Sequence, residues 1–334
     1  MRITRDLLLA TAKETVKRAT FGNHDLVCAY LTGSLTLDDP LIGGATDIDL
    51  VYVHSVDIPC SREIVPMADE FHLDITHHAQ SVYSQPRKLR TDAWIGSFVV
   101  QDPMVLFDNQ HWFDYARSGI SAHFFQPLNI IERARPFAGA ARSQWMALQT
   151  QPPPSHAEMV AAYLVSIRNA ANAIACLVSV PLTERRFLLD FPQRTLALGA
   201  PGLSGGLVDL IVPEEPVEPD WDAWLAGWNS AYDALQGGEN TPLKFSPARK
   251  SYYEMAIQGL KESHQQAALW LLLWTWSGIL RALPEQGQAQ QPFEHACSGL
   301  MLGSSDLSGR MDALDAYLDA VDETIERWSS QNGL

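Results

Sequence analysis

The feature that most constrains the fold of this chain is an apolar segment, a Gly-Ser turn and then two acids one residue apart. Residues Leu26-Val27-Cys28-Ala29-Tyr30-Leu31 favour a buried strand, which is followed by Gly33-Ser34. A second such strand begins at Asp47-Ile48-Asp49-Leu50. Because side chains alternate between the faces of a strand, the two acids point one way while Ile48 and Leu50 point into the core.

The two carboxylates on that face require a cation. Adjacent carboxylates repel each other and are costly beside a core unless a positive charge neutralises them. Mg²⁺ takes oxygen ligands and is commonly shared between carboxylates and substrate phosphates, so the pattern predicts a magnesium site. Each half alone also fits an ordinary turn or a solvated strand end. The order of the halves and their apolar flanks favour the metal site.

A third acid lies on another segment with strand alternation. In His72-Leu73-Asp74-Ile75-Thr76 the polar residues share one face, and Leu73 and Ile75 share the other. Taken alone, Asp74 also fits an ordinary acid at a strand end. In the company of Asp47 and Asp49 it is predicted to complete the site.

These motifs resemble the signature of the polymerase-β-like nucleotidyltransferase superfamily, whose minimal and aminoglycoside-type branches are similar in size and layout. The signature is a hydrophobic strand, Gly-Gly or Gly-Ser, a spacer of about ten residues, and Asp-x-Asp or Asp-x-Glu. The resemblance implies an α+β fold in which a small mixed sheet carries helices on one face. It also implies that Gly33 and Ser34 form the phosphate turn, that Asp47 and Asp49 are catalytic metal ligands, and that Asp74 is the third ligand or the general base.

The activity implied by this resemblance is metal-dependent transfer of a nucleoside monophosphate from a nucleoside triphosphate, with ATP expected, to a hydroxyl of a small molecule or a protein. Two Mg²⁺ ions would stabilise the attacking and leaving oxygens of an in-line displacement at the α-phosphorus. Gly33 would allow the backbone to approach the β and γ phosphates, and Ser34 would offer a hydroxyl and an amide.

One departure from the signature concerns the cations that a triphosphate needs. Family members often carry a basic residue shortly after Gly-Ser, but no Lys or Arg occurs from Ala19 to Ser61. The nearest cluster after the third acid contains Arg87 and Lys88, which are predicted to bind the nucleotide. A solvated loop or helix start is the alternative for these two residues.

The composition excludes one class of partner. The 334 residues include 24 Lys and Arg against 39 Asp and Glu, a formal net charge of −15, whereas nucleic-acid backbones bind clustered cations. The four cysteines show no Cys-x-x-Cys spacing, so neither disulfides nor a zinc site is predicted, and a cytoplasmic location is expected. The apolar run that ends before Arg281 is too short to span a bilayer, so no membrane partner is expected.

The domain organisation follows from the change in pattern along the chain. Strand and helix signals alternate up to about residue 122, and apolar residues at helical spacing dominate afterwards. We predict a catalytic domain over 1–125 and an all-helical domain over 126–334 that serves the substrate or dimerisation. A homodimer is the expected assembly.

Two alternatives to this function stay open at the level of the sequence. The spacer between Ser34 and Asp47 lacks a cation and contains the acids Asp38 and Asp39. This fits a catalytically idle member that binds nucleotide or a partner and acts as a regulator or antitoxin-like module. The overall acidity also suits an acceptor that is an aminoglycoside-like polycation.

Overall fold

The computed structural model describes residues 3–101, 103–213, 218–236, 241–283 and 287–334. The chain divides into two compact units, one made of residues 1–129 and 246–259 and the other of residues 130–245 and 260–334. The domain limits drawn from the sequence stay a prediction. One grouping was not expected from the sequence: residues 246–259, far along the chain, belong with the N-terminal unit.

The first unit is built on a five-stranded mixed sheet. Its strands are β1 (Leu26–Thr32), β2 (Thr46–His54), β3 (Ser61–Ala68), β4 (Phe71–Ala79) and β5 (Met104–Asp108). The strand order is β3-β4-β2-β1-β5; β2 and β4 are parallel, and the other neighbours are antiparallel. The sequence pattern predicts β1, β2 and β4, and the apolar run Met104-Val105-Leu106-Phe107 predicts β5. The edge strand β3 exposes most of its residues and is not predicted.

Helices cover both faces of this sheet, which corrects the expectation of helices on one face. Helix α1 (Arg5–Thr20) packs Leu8, Ala12 and Val16 against one face. Helices α2 (Pro86–Arg90), α3 (Ile95–Val100) and α4 (Trp112–Ser121) contribute to the core on the other face. The reason lies in β1, every residue of which is buried: an apolar strand of this kind needs cover on both sides.

The remaining α helices follow along the chain, most of them in the second unit. They are α5 (Pro127–Thr150), α6 (His156–Cys176), α7 (Phe187–Ala197), α8 (Gly202–Asp209), α9 (Trp221–Gln236), α10 (Lys250–Ser263), α11 (Gln265–Ala282), α12 (Gln290–Gly299) and α13 (Leu307–Gln331). Apolar residues at helical spacing in the sequence predict one helix over 247–282. In the structure this segment forms two helices, α10 and α11, which meet at His264.

Helix α6 is long and apolar enough to cross a membrane, with a mean hydropathy of 1.3 over its best window. Of that window, 72% is buried inside the protein, as in the core helices of many proteins. Its N-terminus is fixed by a capping box, in which Ser155 and Glu158 satisfy each other's backbone N–H groups.

The four cysteines are free, and only Cys60 is exposed.

Candidate active site on the sheet

The three acids identified from the sequence lie together on one face of the sheet. Asp47 and Asp49 belong to β2 and Asp74 to β4, and in the parallel pairing of these strands Asp49 is directly opposite Asp74. Asp47 is 7% exposed and Asp74 is 2% exposed. Burial, followed by the charges of Asp47 and Asp74, raises the pKa of Asp49 well above its usual value. Three carboxylates therefore share a small, poorly solvated space.

The Gly33 turn lies directly against this group. Gly33 has a φ of +71°, and a Cβ at this position would overlap the carboxylate of Asp49. Only glycine combines the left-handed backbone with so close an approach. The Ser34 hydroxyl hydrogen-bonds that of Thr46 at 3.0 Å, which ties the turn to the start of β2. A short 3₁₀ turn over Gly33–Thr36 follows β1.

Two arginines, neither assigned a role from the sequence, neutralise the third acid. Arg62, on β3, makes a two-pronged ion pair with Asp74, and this contact raises the pKa of the guanidinium. Arg249, in the 246–259 segment, donates from Nη1 to Asp74 Oδ2 at 3.2 Å. Arg249 is buried, whereas 47% of the Arg62 side chain is exposed. The cations absent around the Gly-Ser turn thus arrive from two other parts of the chain.

An aromatic residue and a histidine complete the surroundings of the acids. The Tyr252 hydroxyl donates to Asp47 Oδ2 at 2.8 Å, and the Tyr252 ring packs edge-to-face on the His72 ring at a centroid distance of 5.0 Å. One ligand atom each from Asp47, His72 and Asp74 lies within 4.8 Å of the others, close enough for a shared metal ion. The sequence placed His72 on the face of Asp74 but gave it no role.

The predicted nucleotide-binding cations lie elsewhere on the first unit. Arg87 and Lys88 are exposed on α2, where Leu89 between them and Arg90 is buried in the core. The described contacts of these two side chains include none to Asp47, Asp49 or Asp74. Their assignment to the nucleotide stays a prediction.

A second group of side chains that could hold a metal begins at the last residue of β5. Asp108, His111 and Asp114 bring their ligand atoms within 4.8 Å of one another, but His111 and Asp114 are exposed. Asp108 accepts a hydrogen bond from the backbone N–H of Phe113 at 3.0 Å, which is an ordinary role at a helix start.

Among known proteins, the similarity of this chain is distant and structural. No protein-family model matches the chain, and no curated protein matches it. Among solved structures, the chain is similar to a nucleotidyltransferase-like protein from Exiguobacterium sibiricum 255-15, with 10% sequence identity and a TM-score of 0.34. The alignment covers 94% of this chain and 91% of that protein. Function is therefore inferred from the side chains of the site itself.

Proposed function

We propose that this protein is a metal-dependent nucleotidyltransferase that moves a nucleoside monophosphate from a nucleoside triphosphate, ATP foremost, to a hydroxyl of a small molecule or a protein. The observation that carries the proposal is the grouping of Asp47, Asp49 and Asp74 on one sheet face, against the Gly33 turn. Carboxylates clustered in a poorly solvated space are costly unless they bind cations. A turn that requires glycine beside them offers backbone N–H groups to a phosphate.

The residues present fit a divalent cation. Asp47, Asp74 and His72 offer two carboxylate oxygens and an imidazole nitrogen within reach of one ion, and Asp49 is beside them. Mg²⁺ takes carboxylate oxygens, while an imidazole also suits manganese or other transition metals. Such an ion would neutralise charge on the transferring phosphoryl group and on the oxygens that attack and leave.

The chain's own cations have a defined part in this proposal. A triphosphate brings several negative charges, and Arg62 lies half-exposed beside the acids. Its guanidinium is oriented by Asp74 and can turn donors toward phosphate oxygens, for which a planar fork is suited. Arg249 is buried on the same carboxylate and holds Asp74 in place. Asp74 would then orient arginines, in addition to its predicted part as third ligand or general base.

Nucleotide binding to the full chain tests the proposal. We expect ATP to bind more tightly with Mg²⁺ or Mn²⁺ than without, and we expect Asp47→Asn and Asp49→Asn each to remove that gain. Asp69→Asn, the same change at an exposed acid of the same unit, is the matched control and should leave it intact. Metal-independent binding in the wild type, or equal binding by all four proteins in calorimetry, contradicts the proposal.

A second candidate function has its own observation. Asp74 is held by two arginines and Asp47 by the Tyr252 hydroxyl, so the acids have internal partners. This arrangement favours a catalytically idle protein that binds nucleotide or a partner and acts as a regulator or antitoxin-like module. Incubation with ATP labelled at the α-phosphate distinguishes the two. Label transferred to a co-purified protein or a candidate acceptor excludes idleness, and stable nucleotide binding without transfer supports it.

The acceptor, assembly and location extend the proposal. An aminoglycoside-like polycation is one acceptor class that suits an acidic chain, because acidic surfaces concentrate cations. Calorimetry with such an amine tests it, and an absence of binding above background removes it. A homodimer and a cytoplasmic location are part of the same proposal.

A further inference from the structure

A cavity of about 380 Å³ lies within the second unit, bounded by α6, α11 and residues 242–245. The space exists because small residues face it: Ala161 on α6, and Gly278 and Ala282 on α11. Gly278 has a further role, since a Cβ there would lie 2.8 Å from Cζ of Phe245. The glycine lets the Phe245 ring come close to α11, where it forms one wall of the cavity.

The aromatic walls of the cavity are held rigidly. Trp274 is the second aromatic wall, and its indole N–H donates to the Glu184 carboxylate at 3.0 Å. Trp270 stacks on Trp274 with a centroid distance of 5.5 Å and an interplanar angle of 15°. Trp274 and Phe245 are both buried. Lys244 Nζ lies over both rings, 5.3 Å from the Phe245 centroid, so a ligand would meet these rings beside the ammonium group.

The charges at the cavity run against the charge of the whole chain. Among the residues that the structure describes, its lining includes two cations, Lys244 and Arg281, and no carboxylate. Lys244 Nζ lies 4.7 Å from the Trp274 ring centroid and 2.7 Å from the Glu184 carboxylate, and Arg168 lies over the same ring at 5.2 Å. An ammonium carries three donors, so it can serve a second acceptor beside Glu184. These cations gather at one place in a chain whose formal net charge is −15.

We infer that this cavity binds a small aromatic anion, with its ring system against the apolar lining and its anionic group on Lys244 and Arg281. The volume is at the lower end of the range for small-molecule pockets, which fits one or two fused rings. An aromatic body gains from apolar burial, and a carboxylate or sulfonate gains charge-assisted hydrogen bonds. The inference rests on residues of the second unit and is independent of the proposed function of the first.

Three probes of one shape and different charge test the inference on the full chain. Naphthalene-2-sulfonate, the neutral 2-naphthalenemethanol and the cationic 2-naphthylmethylamine are titrated by calorimetry at pH 7. We expect the sulfonate to bind, the alcohol to bind about tenfold more weakly, and the amine to show no binding. Equal affinity for the three probes, or no binding of the sulfonate, overturns the inference.

Variants assign the binding to this cavity. Arg281→Gln changes an exposed side chain and should lower sulfonate affinity about tenfold without loss of folding, as should Lys244→Gln. Arg135→Gln alters an exposed arginine outside the lining and should leave binding unchanged. Arg62→Gln, which removes a cation near the acids of the first unit, tests whether the sulfonate binds there instead. The assignment is overturned if the double variant Lys244→Gln/Arg281→Gln still binds the sulfonate, or if Arg62→Gln no longer binds it. Thermal melts by circular dichroism verify that each variant is folded.

Discussion

At the scale of single residues, the main feature of the site is the balance of charge between its three acids, Asp47, Asp49 and Asp74, and the arginines beside them. Three carboxylates and two guanidiniums share one sheet face, and Asp74 lies between the two guanidiniums. Removing one partner of a buried ion pair is costly, because it leaves a charge without compensation. Arg249 is buried while Arg62 is half-exposed, so Arg249 is bound more closely into the fold and Arg62 is the arginine with access to a ligand.

A residue-scale prediction concerns Gly33. Gly33→Ala should destabilise the protein by more than Gly22→Ala, although both positions have a positive φ of similar size. A methyl group at Gly22 would meet nothing within 4 Å, so alanine there costs only the left-handed strain of about 1–2 kcal/mol. At Gly33 the new methyl group also displaces the Asp49 carboxylate.

The measurement for the glycine pair is the free energy of unfolding from urea denaturation, together with metal-dependent ATP affinity. Gly33→Ala should lower both quantities, whereas Gly22→Ala should lower only stability. Equal losses of stability in the two variants would mean that the turn can move away from Asp49 at little cost.

At the scale of elements, Gly43 and Gly259 allow close packing of the segment 246–259, which carries Arg249 and Tyr252. Within the first unit, a Cβ at Gly43 would overlap the backbone carbonyl of Met255, and a Cβ at Gly259 would overlap the Gly43 backbone. Here the α10 backbone meets the turn between β1 and β2 with no side chain between them. The sequence alone indicates only that Gly43 and Gly44 disfavour a helix between the Gly-Ser turn and Asp47. In the structure, Gly43 is where the α10 backbone packs directly on this turn.

The element-scale prediction compares two helical glycines. Gly259→Ala should destabilise the protein and weaken metal-dependent nucleotide binding, because its methyl group forces α10 away from the Gly43 turn. Gly139→Ala, in α5, meets nothing within 4 Å and should stabilise the protein by about 0.5–1 kcal/mol through helix propensity. Thermal and urea unfolding measure both effects. The same sign of change in the two variants would contradict the close approach at Gly43.

The elements also show which parts of the site a sequence can reveal. Asp47, Asp49 and Asp74 lie on buried strands, where strict alternation marks the face of each acid. Arg62 lies on an exposed edge strand interrupted by Pro66, where alternation gives no comparable signal. Arg249 and Tyr252 meet acids that precede them by 175 and 205 residues, and no local pattern encodes such a contact.

At the scale of the whole molecule, the net charge of the chain bears on whether it binds nucleic acids. A formal net charge of −15 opposes a nucleic-acid backbone, which needs clustered cations to displace its counterions. Cations do occur at two places, but each is paired with an acid: Arg62 and Arg249 pair with Asp74, and Lys244 at the second-unit cavity pairs with Glu184. We therefore expect these places to bind a compact anion rather than a nucleic-acid backbone.

At the scale of the whole molecule, we predict that the protein does not bind transfer RNA or a 20-base-pair DNA duplex. In gel electrophoresis at 100 mM salt, neither nucleic acid should shift at up to about 10 µM protein. Non-specific binders with dissociation constants of about 10⁻⁴–10⁻⁶ M begin to shift nucleic acid at this concentration. ATP with Mg²⁺ should bind under the same conditions, because the site needs only local charge compensation. Arg62→Gln should weaken ATP binding and leave the nucleic-acid result unchanged. A shift that weakens steeply as salt rises would instead reveal an extended basic surface, and the acceptor would then have to be sought among nucleic acids.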